Sequence, residues 1–182
     1  MNLVKTDDYG VKGINYYWVR REMYDLSIEE LNSVGVFDEY AYVDESIIDP
    51  LLSAQKSLEH LGYQLIVKDA YRSPELYQLV FQKRSKKFGE EQTKKILNTI
   101  TMPHTKGTVV DVNLIDKNTG KELQLRDKGD GTNAFFVGYY KNSSNDQHKE
   151  FNRLQELLAN TMLTNGFKFG TKNEFWHFEY VG

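Results

Sequence analysis

An aspartate inside an otherwise apolar, alternating segment constrains this chain more than any other feature. Within residues 109–114 the apolar side chains alternate with Asp111 and Asn113, which is the periodicity of a β-strand with one polar face. An isolated carboxylate among valines would lose several kcal/mol of hydration free energy. Asp111 must therefore lie on an edge strand that faces water, pair with a buried Lys or Arg, or bind a divalent cation.

Apolar periodicity and capping residues predict helices and further strands around this segment. Ser73, Pro74 and Glu75 supply a cap, a first-turn proline and an early acid, which together begin a helix. Helices and neighbouring strands in this order predict an α+β fold, with a small, mostly antiparallel sheet flanked by helices. The other predicted elements are a helix over 49–60, a strand over 63–67, the helix from 74 to about 88, a strand carrying Leu123 and Leu125, a helix over about 148–165 and a terminal strand over 175–180.

Length and composition narrow the class of protein. The 182 residues, 40% of them hydrophobic, predict one domain spanning 1–182. With 23 Lys and Arg against 26 Asp and Glu the net charge is −3, which favours neither nucleic acid nor an anionic membrane as a partner. The sequence shows no secretory apolar stretch and no membrane span. We therefore expect a cytoplasmic protein, and the sequence gives no indication of its oligomeric state.

The absence of cysteine restricts any metal site to histidines and carboxylates. The chain has four histidines, of which His60 and His148 fall in predicted helices and are expected to be surface residues. His104 differs, because it opens a segment in which Gly107 permits a tight turn before the strand that carries Asp111. That turn could bring an imidazole and a carboxylate to one ion.

The fourth histidine lies in an aromatic-rich segment near the end of the chain. If His177 belongs to the terminal strand, its side chain points away from Trp176 and Phe178. Glu174, three residues earlier in a turn, can approach the same pocket. The alternative is a strand whose His and Glu merely line its hydrated face.

Together these segments supply two imidazoles, one aspartate and a further glutamate, which suit a catalytic zinc site with an open fourth position. The glutamate would then serve as the base. Arg72 adds a permanent, forked cation suited to a carboxylate or a developing oxyanion. In the alternative interpretation, Arg72 forms a salt bridge with Asp69 or Glu75.

Three motifs taken together carry a family resemblance over residues 63–182. They are Asp69-Ala70-Tyr71-Arg72, His104-x-x-Gly107-x-x-x-Asp111 and Glu174-x-Trp176-His177. In this combination and order the sequence resembles the D-alanyl-D-alanine dipeptidases of the vancomycin-resistance type. These belong to a larger group of zinc D,D-peptidases that includes D,D-carboxypeptidases and phage L-alanyl-D-glutamate endolysins.

The resemblance implies a fold, a cofactor and a reaction. It implies a small antiparallel sheet flanked by helices, with one zinc ion held by His104, Asp111 and His177. It assigns Glu174 as the general base and Arg72 as the group that stabilises the tetrahedral intermediate. The implied reaction is zinc-dependent hydrolysis of D-alanyl-D-alanine or a closely related D-amino-acid dipeptide, in which water activated at the metal attacks the peptide carbonyl. The implied partner is thus a small D-amino-acid peptide.

The sequence departs from the dipeptidase pattern where substrate is bound. Met102 stands where the dipeptidases usually have a serine, and Val109 replaces an alanine. Asp127 and Asp130 are candidates for the acid that binds the substrate amino group, or are ordinary turn residues. Two alternative functions therefore stand beside the first. One is a D,D-carboxypeptidase or endolysin-like peptidase acting on longer muropeptides, and the other is a non-catalytic, zinc-stabilised binding domain.

One aromatic run near the N-terminus lies outside these motifs. Residues 16–18 are Tyr-Tyr-Trp. Such a cluster could form a lid or a wall of the cleft, or it could serve core packing.

Overall fold

The computed structural model describes residues 1–170 and 173–182. Its strands are β1 (Leu3–Lys5), β2 (Lys12–Gly13), β3 (Tyr42–Asp44), β4 (Tyr63–Asp69), β5 (Val109–Asp116), β6 (Phe167–Phe169) and β7 (His177–Tyr180). Its α-helices are α1 (Tyr16–Val19), α2 (Ile28–Ser33), α3 (Ile48–Glu59), α4 (Pro74–Phe88), α5 (Glu90–Lys94) and α6 (Asp146–Thr164). Short 3-10 helices join them, including one over Pro103–Lys106.

A five-stranded sheet organises the fold, in the order β2-β4-β5-β7-β6. Only the short β2 runs parallel to its neighbour, and the other pairs are antiparallel. Strands β1 and β3 form a separate antiparallel pair. The predicted α+β fold, with a small, mostly antiparallel sheet flanked by helices, is confirmed.

One face of the sheet forms the main core. The alternate residues Val110 and Val112 of β5 are fully buried and pack with Phe178 of β7. Helices α3 and α6 add leucines to the same cluster. Because side chains alternate along a strand, Asp111 and His177 lie on the opposite face. A second apolar cluster joins α4 to the N-terminal segment and includes Leu76, Tyr77 and Val80 together with Tyr17, Tyr24 and Leu31.

The predicted element boundaries hold within a few residues for the long helices and the central strands. Helix α4 begins after Ser73, whose hydroxyl accepts the Leu76 N–H at 3.0 Å. Helix α6 begins two residues before its predicted start, because the Asn145 side chain caps it. Among the described residues, no helix combines the length and the apolarity needed to span a membrane.

The predicted strand at Leu123 and Leu125 is wrong. Within this segment only Glu122 forms a bridge, with Ile115, and the Leu123 N–H donates to the Leu114 carbonyl. The Leu125 carbonyl instead accepts the Gln155 side chain of α6 at 2.8 Å. The chain thus leaves the sheet and packs towards the helix. The terminal strand also starts later than predicted, at His177.

Candidate metal centre and active site

Strand register places two of the predicted ligands side by side. Asp111 of β5 lies directly opposite His177 of β7. Their neighbours Val110 and Phe178 are buried in the core, so both polar side chains project from the other face. His177 Nδ1 lies 2.7 Å from Asp111 Oδ1.

The third predicted ligand is carried by the 3-10 helix before β5. This helix ends at Lys106, and the next residue, Gly107, has a φ of 71° that allows the turn into the strand. His104 is only 2% exposed, and its Nδ1 lies 2.8 Å from the Ala70 carbonyl oxygen. A proton on Nδ1 donates to that carbonyl and leaves Nε2 with a free lone pair, 3.6 Å from Asp111 Oδ1.

The three side chains form a group whose donor atoms suit one zinc ion. One ligand atom from each of His104, Asp111 and His177 lies within 4.8 Å of the others. Two imidazole nitrogens and a carboxylate oxygen are typical ligands of a catalytic zinc. The group is therefore consistent with one zinc site.

Local electrostatics prepare two of these groups to bind a cation. Burial, and then the nearby Arg72 charge, lower the pKa of His104 to about 3, so its imidazole is neutral. Burial alone would raise the pKa of Asp111, but His104, His177 and Arg72 outweigh it and lower the pKa to about 2. Both groups are thus in the protonation state that a metal requires.

Gly170, just after β6, makes room for the His177 ring. Its N–H donates to the His177 carbonyl at 3.0 Å. A Cβ at this position would lie 1.9 Å from His177 Cδ2 and 2.5 Å from Nε2. Only glycine allows this approach. Because no local motif in the sequence marks a contact between neighbouring strands, the role of Gly170 is not visible from the sequence alone.

Arg72 reaches the same face from the turn between β4 and α4. Its Nε and Nη2 donate to Asp69 Oδ2 at 2.9 and 2.7 Å, so the salt bridge with Asp69, rather than with Glu75, is the one that forms. Nη2 also lies 3.5 Å from Asp111 Oδ2. The Arg72 Cζ lies 5.2 Å from the ring centroids of both Tyr17 and Tyr77. The salt bridge therefore does not remove the guanidinium from the site.

Glu174 lies half-buried in the turn before β7. Its carbonyl accepts the His177 N–H at 3.3 Å, and its backbone forms a bridge with Phe136. Burial alone would lower the pKa of His177, but Asp111 and, less strongly, Glu174 outweigh it and raise the pKa. The Glu174 carboxylate is therefore close enough for its charge to act on the histidine.

A groove of about 380 Å³ adjoins His177. Lys106 and Lys168 line it, and both pair with Glu179, the Lys168 contact being 3.3 Å long. Among the described residues that line the groove, two cations face one carboxylate, which leaves a surplus positive charge. Such a groove can accept an anionic group beside the metal centre.

The candidate acids for binding a substrate amino group have structural partners. Asp127 Oδ1 accepts the Gly129 N–H at 2.8 Å, as a turn residue does. Asp130 Oδ2 accepts the Tyr140 hydroxyl at 2.9 Å. Met102, with a φ of 41°, packs against the second apolar cluster.

The two remaining histidines differ from each other. His60 is exposed, as predicted. The expectation that His148 is a plain surface residue is wrong, because its side chain is half-buried and its ring centroid lies 4.7 Å from that of Tyr140. Helix α6 turns this face of its first turn towards the loop that precedes it, where His148 Nδ1 meets the Ser143 hydroxyl at 3.1 Å.

A His-Asp-His group beside an acid and an arginine, on a small antiparallel sheet, defines a metallopeptidase of the zinc D,D-peptidase type. Residues 38–182 match the family model described as D-ala-D-ala dipeptidase. The chain belongs to this family. No curated protein is significantly similar to the sequence.

Solved structures share the fold at low sequence identity. The LdcB LD-carboxypeptidase is 18% identical with a TM-score of 0.50, over 78% of this chain and 60% of that one. VanYB, solved in complex with D-alanine-D-alanine, is 17% identical with a TM-score of 0.52, over 78% of this chain and 73% of that one. The chain thus spans less than two thirds of the LdcB structure.

Proposed function

We propose that this protein is a zinc-dependent peptidase that hydrolyses D-alanyl-D-alanine or a closely related D-amino-acid dipeptide. One observation carries the proposal: ligand atoms of His104, Asp111 and His177 converge to within 4.8 Å of one another. Family membership supports it, as does the complex of VanYB, a protein of similar fold, with D-alanine-D-alanine.

The chain's own residues would hold the ion through His104 Nε2, an Asp111 oxygen and His177 Nδ1. The Ala70 carbonyl fixes the tautomer and the ring orientation of His104. When bound, zinc supplies Lewis-acid polarisation of the peptide carbonyl and a lower pKa for water at the site.

Two further side chains would carry the proton and the developing charge. The Glu174 carboxylate accepts a proton from the attacking water and returns it to the leaving amine. The Arg72 guanidinium faces the oxyanion that forms from the peptide carbonyl oxygen. Asp69 holds one edge of this guanidinium, so the cation needs little reorganisation during the reaction.

The second candidate is a D,D-carboxypeptidase that removes D-alanine from longer muropeptides. Met102, in place of the serine usual in the dipeptidases, favours it. The groove beside His177, with its surplus positive charge, suits both substrates. We propose that the groove receives the terminal carboxylate of either substrate. An endolysin-like enzyme, which cuts within a peptide, would not need that carboxylate.

The test compares three peptides with the purified zinc-loaded protein. They are D-alanyl-D-alanine, a muropeptide-type pentapeptide ending in the same pair, and the C-terminal amide of that pentapeptide, with L-alanyl-L-alanine as the stereochemical control. We expect the highest kcat/KM for the free dipeptide and no cleavage of the amide.

Each other outcome selects a different function. Faster release of D-alanine from the pentapeptide would establish the carboxypeptidase. Cleavage of the amide as fast as the free pentapeptide would favour an endolysin-like peptidase. One zinc per chain with no hydrolysis of any peptide would contradict catalysis and favour a zinc-stabilised binding domain.

A further inference from the structure

The N-terminal segment before residue 38, which the family model does not match, is bonded directly to the fold. The Ile14 N–H donates to the Val67 carbonyl of β4 at 2.9 Å, and the Asn15 N–H donates to Glu39 at 2.7 Å. The Asn15 side chain then accepts the Tyr17 and Trp18 N–H groups at 3.1 Å each. Helix α1 is thereby capped and held at a fixed position beside the sheet.

This helix brings an aromatic ring to the catalytic arginine. Tyr17 is 5% exposed, and its ring centroid lies 5.2 Å from the Arg72 Cζ. Tyr77 of α4 lies at the same distance, and its hydroxyl accepts the His104 N–H at 3.2 Å. Arg72 therefore contacts two rings from separate parts of the chain, in a buried environment where cation–π contacts are strongest.

We propose that Tyr17 is a positioning residue, which holds the Arg72 guanidinium in the orientation that serves the reaction. The two bonds to Asp69 restrain one edge of the guanidinium, and the rings restrain its remaining freedom. In this orientation Nη2 lies 3.5 Å from Asp111. The inference rests on the role proposed above for Arg72, and it gives one residue of the segment before residue 38, Tyr17, a part in the reaction.

The neighbouring tyrosine provides a matched control. Tyr16 belongs to the same helix and aromatic cluster, with its ring centroid 5.3 Å from that of Tyr17, and its hydroxyl lies 3.2 Å from that of Tyr24. No contact between Tyr16 and Arg72 is found among the described residues. Loss of the Tyr16 ring thus perturbs the packing of the cluster without removing a contact to the guanidinium.

The kinetic test compares Tyr17→Leu, Tyr17→Phe and Tyr16→Leu. We expect Tyr17→Leu to lower kcat about tenfold to thirtyfold with little change in KM, because the loss affects the transition state. Tyr17→Phe should restore kcat, since none of the described residues hydrogen-bonds the Tyr17 hydroxyl. Tyr16→Leu should keep kcat within about twofold. If Tyr17→Leu does not fold, Tyr17→Met replaces it.

An NMR measurement tests the same inference without using activity. In the wild-type protein the Arg72 Nε–H signal should be shifted by the two rings and exchange slowly with water. Tyr17→Leu should shift this signal and speed the exchange, and Tyr17→Phe and Tyr16→Leu should leave the exchange unchanged. An unchanged Arg72 signal in Tyr17→Leu would overturn the inference.

The two proposals fail in different ways. A wild-type protein that hydrolyses no peptide would contradict the proposed function, and the NMR signal would still decide whether Tyr17 positions Arg72. An active wild-type protein whose Tyr17→Leu variant keeps full kcat would contradict the positioning role alone. A double variant with Arg72→Lys sharpens the result, because Tyr17→Leu should then add little further loss.

Discussion

The two sides of the metal centre differ in what borders them. On one side, His104 is 2% exposed and is bonded to Ala70 and Tyr77. On the other, His177 is also buried, at 8% exposed, but it adjoins a groove, and Glu174 lies half-buried in a turn. One side of the site is therefore enclosed by the protein, and the other side borders a groove.

The electrostatics follow the same division. Burial lowers the pKa of His104 to about 3, whereas Asp111 raises that of His177 against the effect of burial. The buried side is thus neutral and ready to bind metal at any ordinary pH. The open side carries the groups whose protons move. We infer that the first side anchors the ion, and that the second completes its ligand set with His177 and supplies the general base Glu174.

The largest expected effect comes from removing the His104 imidazole on the buried side. His104→Ala removes an imidazole ligand and leaves the Asp111 carboxylate with one histidine fewer, so bound zinc and peptide hydrolysis should both be lost. Elemental analysis after dialysis without chelator, together with assay of D-alanine release, would measure this. The exposed His60→Ala is the control and should keep one zinc per chain. Wild-type zinc content in His104→Ala would contradict the assignment of this ligand.

A large but different effect is expected on the open side. Glu174→Ala should retain zinc and lower kcat on the order of 10²- to 10⁴-fold, which is the usual contribution of a general base. The measurements are zinc content and D-alanine release for the same sample. Glu75→Ala, an exposed acid of α4, is the control. If Glu174→Ala hydrolyses the dipeptide at the wild-type rate, Glu174 is not the base.

Much of this centre could be predicted because its residues lie in short segments with local signals. Alternation in β5 placed Asp111 opposite the core, and Gly107 marked the turn after His104. The cap at Ser73 gave the start of α4 to the residue. These features depend on side chains a few positions apart, and the sequence displays them directly.

The parts that were missed depend on contacts between distant segments. Tyr17 and Tyr77 contact Arg72 from two helices. Gly170, which has no side chain, leaves room for the His177 ring on the neighbouring strand. No spacing within one segment encodes such contacts. The predicted strand at Leu123 failed for the same reason, because a bond from Gln155 draws the backbone away from the sheet.

The smallest expected effect is the number of protons released when zinc binds, to which the two histidines should contribute differently. His177 has a raised pKa and is charged below it, so zinc must remove its proton, and zinc affinity should fall by up to tenfold per pH unit as pH drops below that value. His104 and Asp111, with pKa values of about 3 and about 2, carry no proton to displace at pH 6. Calorimetric titration of zinc at pH 6, in two buffers of different ionisation enthalpy, should therefore show release of about one proton. Release of two protons would mean that the buried His104 imidazole is also charged at pH 6. That result would contradict the distinction between the two sides of the metal centre.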